Sequence, residues 1–336
     1  MSEKVISEIK PAHAVSVPVE PLEKSAPTLR PEVMQIIDFI DETLTDAVRT
    51  DNSLSFQGRM GQTLIRIDPV EAVATDGTRI LETVIISTDV SGWVHLPIEQ
   101  VALANRYAGL AALIRDPVTG RLSLETRATL YEGFDDVLEY SKYVFFCALL
   151  THDAGLAAAI NREFLQPDEA RWQATQLPGH DLEGRWNAEE FEEAATILRS
   201  RRYFANAGQA RLTAEFPWED GAVSAADGHA TNLLTYSGLE QHPTLGRGLF
   251  CKLELYPRFP SEMVGELANR LNAFERDAVN APPLFGAWCL TDRTGGLAYV
   301  EFWPNYLHNP SLLGNLVLWM SWRSHLVREV VENGRV

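Results

Sequence analysis

The tetrapeptide Leu-Ala-Asn-Arg occurs twice in this chain, at 103–106 and at 267–270. The surroundings of the two copies constrain the fold more than either copy does. Around each, hydrophobic periodicity reads the same order: a helix, three strands, a helix, two strands, a helix. In the first half a helix starts at Pro31, a favourable first helical residue. Its apolar Ile36, Ile37, Ile40, Leu44, Ala47 and Val48 recur at three- and four-residue steps. The period then falls to two through Leu64–Asp68 and the β-branched run "ILETVIIST" at 80–88, with the hairpin signal Asp76-Gly77 between them. A helix at 97–109 carries the first copy. Two strands flank "DPVTG" at 116–120, and a long helix, roughly 135–164, closes the half.

After "QPDEARWQATQLPGHDLEG", read as a linker over 166–184, the order begins again. A helix over 187–200 precedes strands at 210–216, 231–237 and 249–256. A helix over 260–278 carries the second copy, two strands flank "TDRTGG" at 291–296, and a helix over 311–332 ends the half. The tetrapeptides lie 164 residues apart, and the turns Asp116/Gly120 and Asp292/Gly296 lie 176 apart. The twelve additional residues fall in the loop "FERDAVNAPPLFG", where insertion is tolerated. The reading is an internal duplication, and it predicts that Asn105 superposes on Asn269. The alternative is two ordinary α+β domains that share a helix by accident. The expected fold class is α+β, two similar halves at 31–165 and 185–336, each a twisted antiparallel sheet packed by helices. Residues 1–30, with four prolines, balanced charges and no aromatic residue, read as a flexible tail.

A length of 336 residues suits two domains, and a chain this size buries roughly three quarters of its unfolded surface. It therefore needs neither metal nor disulfide to fold. The net charge of −17 excludes the many Lys and Arg contacts that nucleic acid demands, and it disfavours an anionic membrane. It suits a basic protein partner. Cys147, Cys251 and Cys289 each sit in an apolar run and form no C-x-x-C pair, which points to buried thiols in a reducing, cytoplasmic setting. The start of the chain does not read as a secretory signal.

The element order, the acidic charge and the short strands around "ILETVIIST" and "LFCKLELYPRFP" resemble the type III secretion chaperone-like fold, including the YbjN-type domains of bacteria. The likeness covers 31–164 and 185–333. It implies a unit that pairs as a dimer and binds other proteins without catalysis, here two copies fused as a pseudo-dimer. Two copies and a tail exceed the family's usual single domain, so a YbjN-like regulatory or stabilising role is as apt as secretion.

No nucleophile elbow, P-loop or dinucleotide fingerprint occurs, and the eight histidines stand at none of the usual metal spacings. His152-Asp153 resembles the doublet of metal phosphohydrolases, but without further ligands it reads as a polar interruption of a helix. "WEDGAVSAADGHA" at 218–230 lacks the alternate-ligand spacing of an EF-hand and reads as a solvated loop. "RSRRYF" at 199–204 reads as a charged helix end. The repeated Asn-Arg pairs, Asn105/Arg106 and Asn269/Arg270, read as outer-face residues rather than as two equivalent binding sites. No catalytic residue, cofactor or metal is expected.

The aromatics at strand-to-helix connections are the candidate partner-binding residues: Trp218, Phe302, Trp303 and Tyr306. Trp and Tyr bring large contact area at low entropy cost, and they serve equally to cap a core. The expected function is a non-catalytic protein-binding module, chaperone-like or regulatory. The alternatives are an enzyme with a small-molecule site in the cleft between the halves, and a homo-oligomeric assembly element.

Overall fold

The computed structural model describes residues 29–58, 61–73, 77–93, 96–107, 109–164, 185–218, 231–242, 245–256, 259–291 and 296–333. The N-terminal tail to residue 28, the linker, residues 219–230 and Asp292 lie outside these.

The first half runs α1 (Pro31–Asp41), β1 (Val48–Arg49), β2 (Ser53–Gln57), β3 (Gln62–Val73), β4 (Arg79–Asp89), α2 (Ile98–Ala104), β5 (Ala112–Arg115), β6 (Leu122–Tyr131) and α3 (Leu138–Phe164). The second runs α4 (Ala188–Ser200), β7 (Phe204–Ala207), β8 (Arg211–Pro217), β9 (Thr231–His242), β10 (Gly246–Glu254), α5 (Ser261–Asp277), β11 (Ala287–Leu290), β12 (Leu297–Pro304) and α6 (Leu312–Asn333). The strands form two six-stranded sheets, ordered β1-β2-β3-β4-β6-β5 and β7-β8-β9-β10-β12-β11. Every pairing is antiparallel. The protein is α+β, and the two halves share one topology.

Each half has four strands before its middle helix, where the sequence pattern gave three. The additional strands are the short β1 in the first half and the short β7 in the second, too brief to show a period of two. The first helix also stops at Asp41 and does not continue to Val48. The Thr43 hydroxyl donates to the Ile40 carbonyl (2.7 Å), and Asp46 takes a left-handed φ of 65°, which breaks the helix and turns Val48 into a strand. Pro31 begins α1 as expected, and α4 has a capping box: Asn187 accepts from the Glu189 and Glu190 amides while Glu190 accepts from the Asn187 amide. Apolar side chains of α1 and α3 cover one face of the first sheet, and those of α4 and α6 cover one face of the second.

The middle helices α2 and α5 pack on each other, and each also touches the other half's edge strand, α2 on β11 and α5 on β5. Gly265 allows this approach, because a Cβ there would sit 3.0 Å from the Glu99 Cα. Three asparagines clamp edge-strand backbone. Asn105 accepts from the Leu113 amide (2.7 Å) and donates to the Leu113 carbonyl (2.9 Å). Asn272 makes the same pair with Trp288 (2.7 and 3.0 Å). Asn269 makes it across the seam, with Arg115 of the first half (2.8 Å both ways).

These clamps correct two expectations. Asn105 and Asn269 are buried, 1% and 5% exposed, and do not lie on an outer face. By role Asn105 corresponds to Asn272 instead of Asn269. Leu113 and Trp288 hold equivalent register positions, since Ala112 pairs with Glu125 and Ala287 with Val300. Asn105 precedes its strand partner by eight residues and Asn272 by sixteen, so the second half carries eight additional residues, not twelve. That segment, before β11, is used at the seam: Leu284 pairs with Arg127 beyond the end of β5.

Beneath the seam lies a sealed ionic cluster. Arg323 and Glu275, both 0% exposed, make a two-point pair with contacts at 2.9–3.2 Å. The Trp288 indole also donates to Glu275 (2.8 Å), and Arg323 lies 3.9 Å over the Tyr299 ring. Arg127 of β6 reaches across to the carbonyls of Glu275, Ala281 and Pro282. Asp116 pairs with Arg276 of α5 (3.2 Å). Removing the Asn269 side chain leaves the Arg115 amide and carbonyl without their clamp. Asn269→Ala is expected to lower unfolding free energy by about 1–3 kcal/mol in urea titration. Arg270→Ala, which removes only an exposed pair to Glu266, is expected to stay within about 0.5 kcal/mol.

Candidate functional site

The structure separates the four aromatic candidates. Phe302 (4% exposed) and Trp303 (1%) are buried on opposite faces of β12, and Trp303 packs edge-on against Phe285. Neither ring is at the surface to meet a partner, which corrects that part of the expectation. The alternation of a strand sends neighbouring residues to opposite faces, Trp303 into the core beside Phe285 and Phe302 to the outer face of the sheet. Trp218 is half-buried against the core at the end of β8. Tyr306 is 39% exposed.

Tyr306 belongs to a cluster that the sequence did not disclose. It sits on the short helical turn Asn305–Leu307 of the second half, which Tyr140 of α3 fastens by donating to the Leu307 carbonyl (2.8 Å). Its ring meets Tyr143 of α3 edge-on at 5.9 Å. Tyr143 meets Phe39 of α1 at 5.4 Å, and Phe39 meets Phe146 at 6.0 Å. Tyr143 is 40% exposed, so the row presents aromatic surface contributed by both halves. Phe39 and Tyr143 come together only because α1 packs on α3. Carboxylates crowd the same elements: Asp38 and Asp41 on α1, Asp135 and Asp136 in the turn before α3, and Glu139 one helical turn before Tyr143. Arg49 pairs with Asp38 and Asp41, and Lys142 with Glu139.

Among the described residues, titratable groups elsewhere do not gather into a catalytic set. His152 is fully buried, and burial holds its pKa down at about 3. Its Nδ1 lies 2.9 Å from the Thr88 hydroxyl and its Nε2 3.0 Å from the Thr126 hydroxyl. Thr126 donates to the Leu110 carbonyl, so it accepts from Nε2–H, and Thr88 donates to Nδ1. A neutral histidine with both nitrogens engaged is no metal ligand. Among the described residues no three His, Cys, Asp or Glu gather as a metal site. Burial raises the thiols of Cys147 and Cys289 to about 12 and pushes that of Cys251 well above its ordinary value, so none is an active nucleophile.

The Glu301 carboxyl is pushed up to about 8, mainly by burial, with Arg323 opposing the shift. Such a shift can mark an active site. Here the group is 2% exposed on the sheet face packed by α6, where no substrate reaches it. Neither of its oxygens has a hydrogen-bond partner among the described residues. The same holds for the Tyr236 and Tyr299 hydroxyls and for Nη1 of Arg323. The cluster is a group of buried polar atoms in the core, of the kind that ordered water satisfies.

Basic Arg199 at the end of α4 pairs with Glu192 and donates to the Ala205 carbonyl, as a helix-end role requires. Comparison with family models, with curated proteins and with solved structures finds no match for this chain. No described helix is long and apolar enough to cross a membrane.

Two outcomes test this assignment. In the unfolded chain the Glu301 carboxyl ionises at about 4.3. Between there and about 8 the folded state holds the additional proton, so stability falls as pH rises through that window and levels off above it. Glu301→Gln is expected to remove this part of the slope and to raise the Tm at the alkaline end, read by calorimetry across pH. Trp303→Ala is expected to cost about 3–5 kcal/mol of stability, as for a core aromatic, in denaturant unfolding.

Proposed function

We propose that this protein is a non-catalytic protein-binding module, chaperone-like or regulatory, built as a fused pseudo-dimer. It docks a basic segment of a partner protein on the Phe39–Tyr143–Tyr306 surface. The observation that carries the reading is the row of half-exposed rings crossing from one half to the other within a field of carboxylates. Aromatic anchors supply the contact area, and Asp38, Asp135, Asp136 and Glu139 select positive charge. The resemblance of each half to the type III secretion chaperone-like and YbjN-type domains supports a binding role. The three reduced, buried cysteines suit a cytoplasmic setting.

The test is a pull-down from native cell extract, with bound proteins identified by mass spectrometry, comparing the native chain with Tyr143→Ala/Tyr306→Ala. Both rings are half-exposed, so the variant is expected to unfold within a few degrees of the native Tm while losing a basic partner. Raised salt is expected to weaken the native complex. A partner held equally by both chains, or held without regard to salt, overturns the assignment of this surface.

A further inference from the structure

A second hollow lies on the other side of the second sheet, at the seam. Its floor is the outer face of that sheet: Phe250 of β10, Val300 and Phe302 of β12, and Cys289 of β11. Its rim combines the second half's β9 end with the turn Asn105–Tyr107 of the first half. The volume is about 280 Å³. His242 closes one side. It donates from Nε2 to the Tyr107 carbonyl (3.1 Å) and accepts at Nδ1 from the Leu245 amide (3.3 Å), which fixes it as a neutral imidazole, with the Phe302 ring tilted against it at 5.1 Å. The wall therefore ties the two halves together.

The charge here runs against that of the chain. In a protein of net charge −17, this hollow is lined by Arg106 and Lys252 against the single carboxylate Glu240. Lys252 keeps a partly exposed pair with Glu254 (3.0 Å) outside the lining. Both cations act on the Cys289 thiol at the floor and favour negative charge there, although burial outweighs them. The Thr291 hydroxyl, at the edge of the floor, is buried and has no hydrogen-bond partner among the described residues. Apolar walls, two cations and an unused hydroxyl together describe a receptor for an anion with an apolar body. The one thiol on the lining, Cys289, is pushed up to about 12 by burial, and His242 has both nitrogens committed.

We propose that this hollow binds a small carboxylic acid with an aromatic or branched apolar body. The carboxylate lies between Arg106 and Lys252 within reach of Thr291, and the body lies on Phe250, Val300 and Phe302. Binding across the seam stiffens the junction of the halves. The site is distinct from the Tyr143–Tyr306 surface and does not depend on it.

The test uses the full chain with phenylacetate, benzoate and hexanoate as probes, read by titration calorimetry and by Tm. Phenylacetamide and benzylamine serve as neutral and cationic controls. At least one acid is expected to bind at about millimolar Kd or tighter and to raise the Tm, with its amide at least roughly tenfold weaker. Arg106→Gln and Lys252→Met are each expected to weaken the acid roughly tenfold, and Thr291→Val by less. Lys252→Met changes a strand residue to one of similar length, so it remains informative if Arg106→Gln disturbs the seam. Tyr143→Ala/Tyr306→Ala is expected to bind the acid as the native chain does. The proposal is overturned if none of the three acids binds, if the amide binds as tightly as the acid, or if Lys252→Met binds it unchanged.

Discussion

The buried carboxylate of Glu275 is the point on which the joined structure depends. It is fully sealed, so its charge is tolerable only because Arg323 meets it at two points and the Trp288 indole adds a third contact. Those bonds fix α5 to α6 and to β11. The backbone carbonyl of the same residue accepts from Arg127 of the first half. Arg127 is itself buried, its pKa lowered to about 10 by burial with Glu275 opposing, and its remaining bonds go to the carbonyls of Ala281 and Pro282. A charged network of this kind tolerates no sliding, since any shift strands a charge or a donor away from water. It sets the relative placement of the halves more sharply than apolar contact between α2 and α5 would.

That fixed placement is what creates both surface features. The ring row needs α1 and α3 of the first half against the turn Asn305–Leu307 of the second. The cation-lined hollow needs the turn Asn105–Tyr107 of the first half over the second sheet. Neither exists in a single half. Joining two halves of one topology thereby creates composite surfaces that one half lacks. The halves differ beneath their sheets. The first half places neutral His152 against Thr126 of β6, and the second places Arg323 close to Glu301 of β12.

The shared topology of the halves was legible because a hydrophobic period marks helix and strand whatever the exact residues. The order of helices and long strands came through, as did the capping box at Asn187 and the start at Pro31. The short β1 and β7 did not, because two to four residues cannot display a period. The Leu-Ala-Asn-Arg match pointed to the right helix but the wrong register, since one helical turn separates Asn269 from Asn272 and both are asparagines on the buried side. Of the aromatic candidates, Tyr306 alone lies on exposed surface among rings. Phe302 and Trp303 were misjudged because proximity to prolines says nothing about how deeply a strand residue is buried.

Sequence alone determined the fold class, the repeated order of elements, the acidic charge and the inert character of the cysteines. Each follows from composition or from a period of two or 3.6 residues, properties carried within a short window of chain. Tertiary structure decided the seam, the ring row of Phe39, Tyr143 and Tyr306, and the hollow lined by both Arg106 and Lys252. Those depend on residues more than a hundred positions apart meeting at a few ångströms, and no local pattern encodes such a meeting. Only the packing of two rigid sheets, pinned by Glu275 and its two arginines, brings them together.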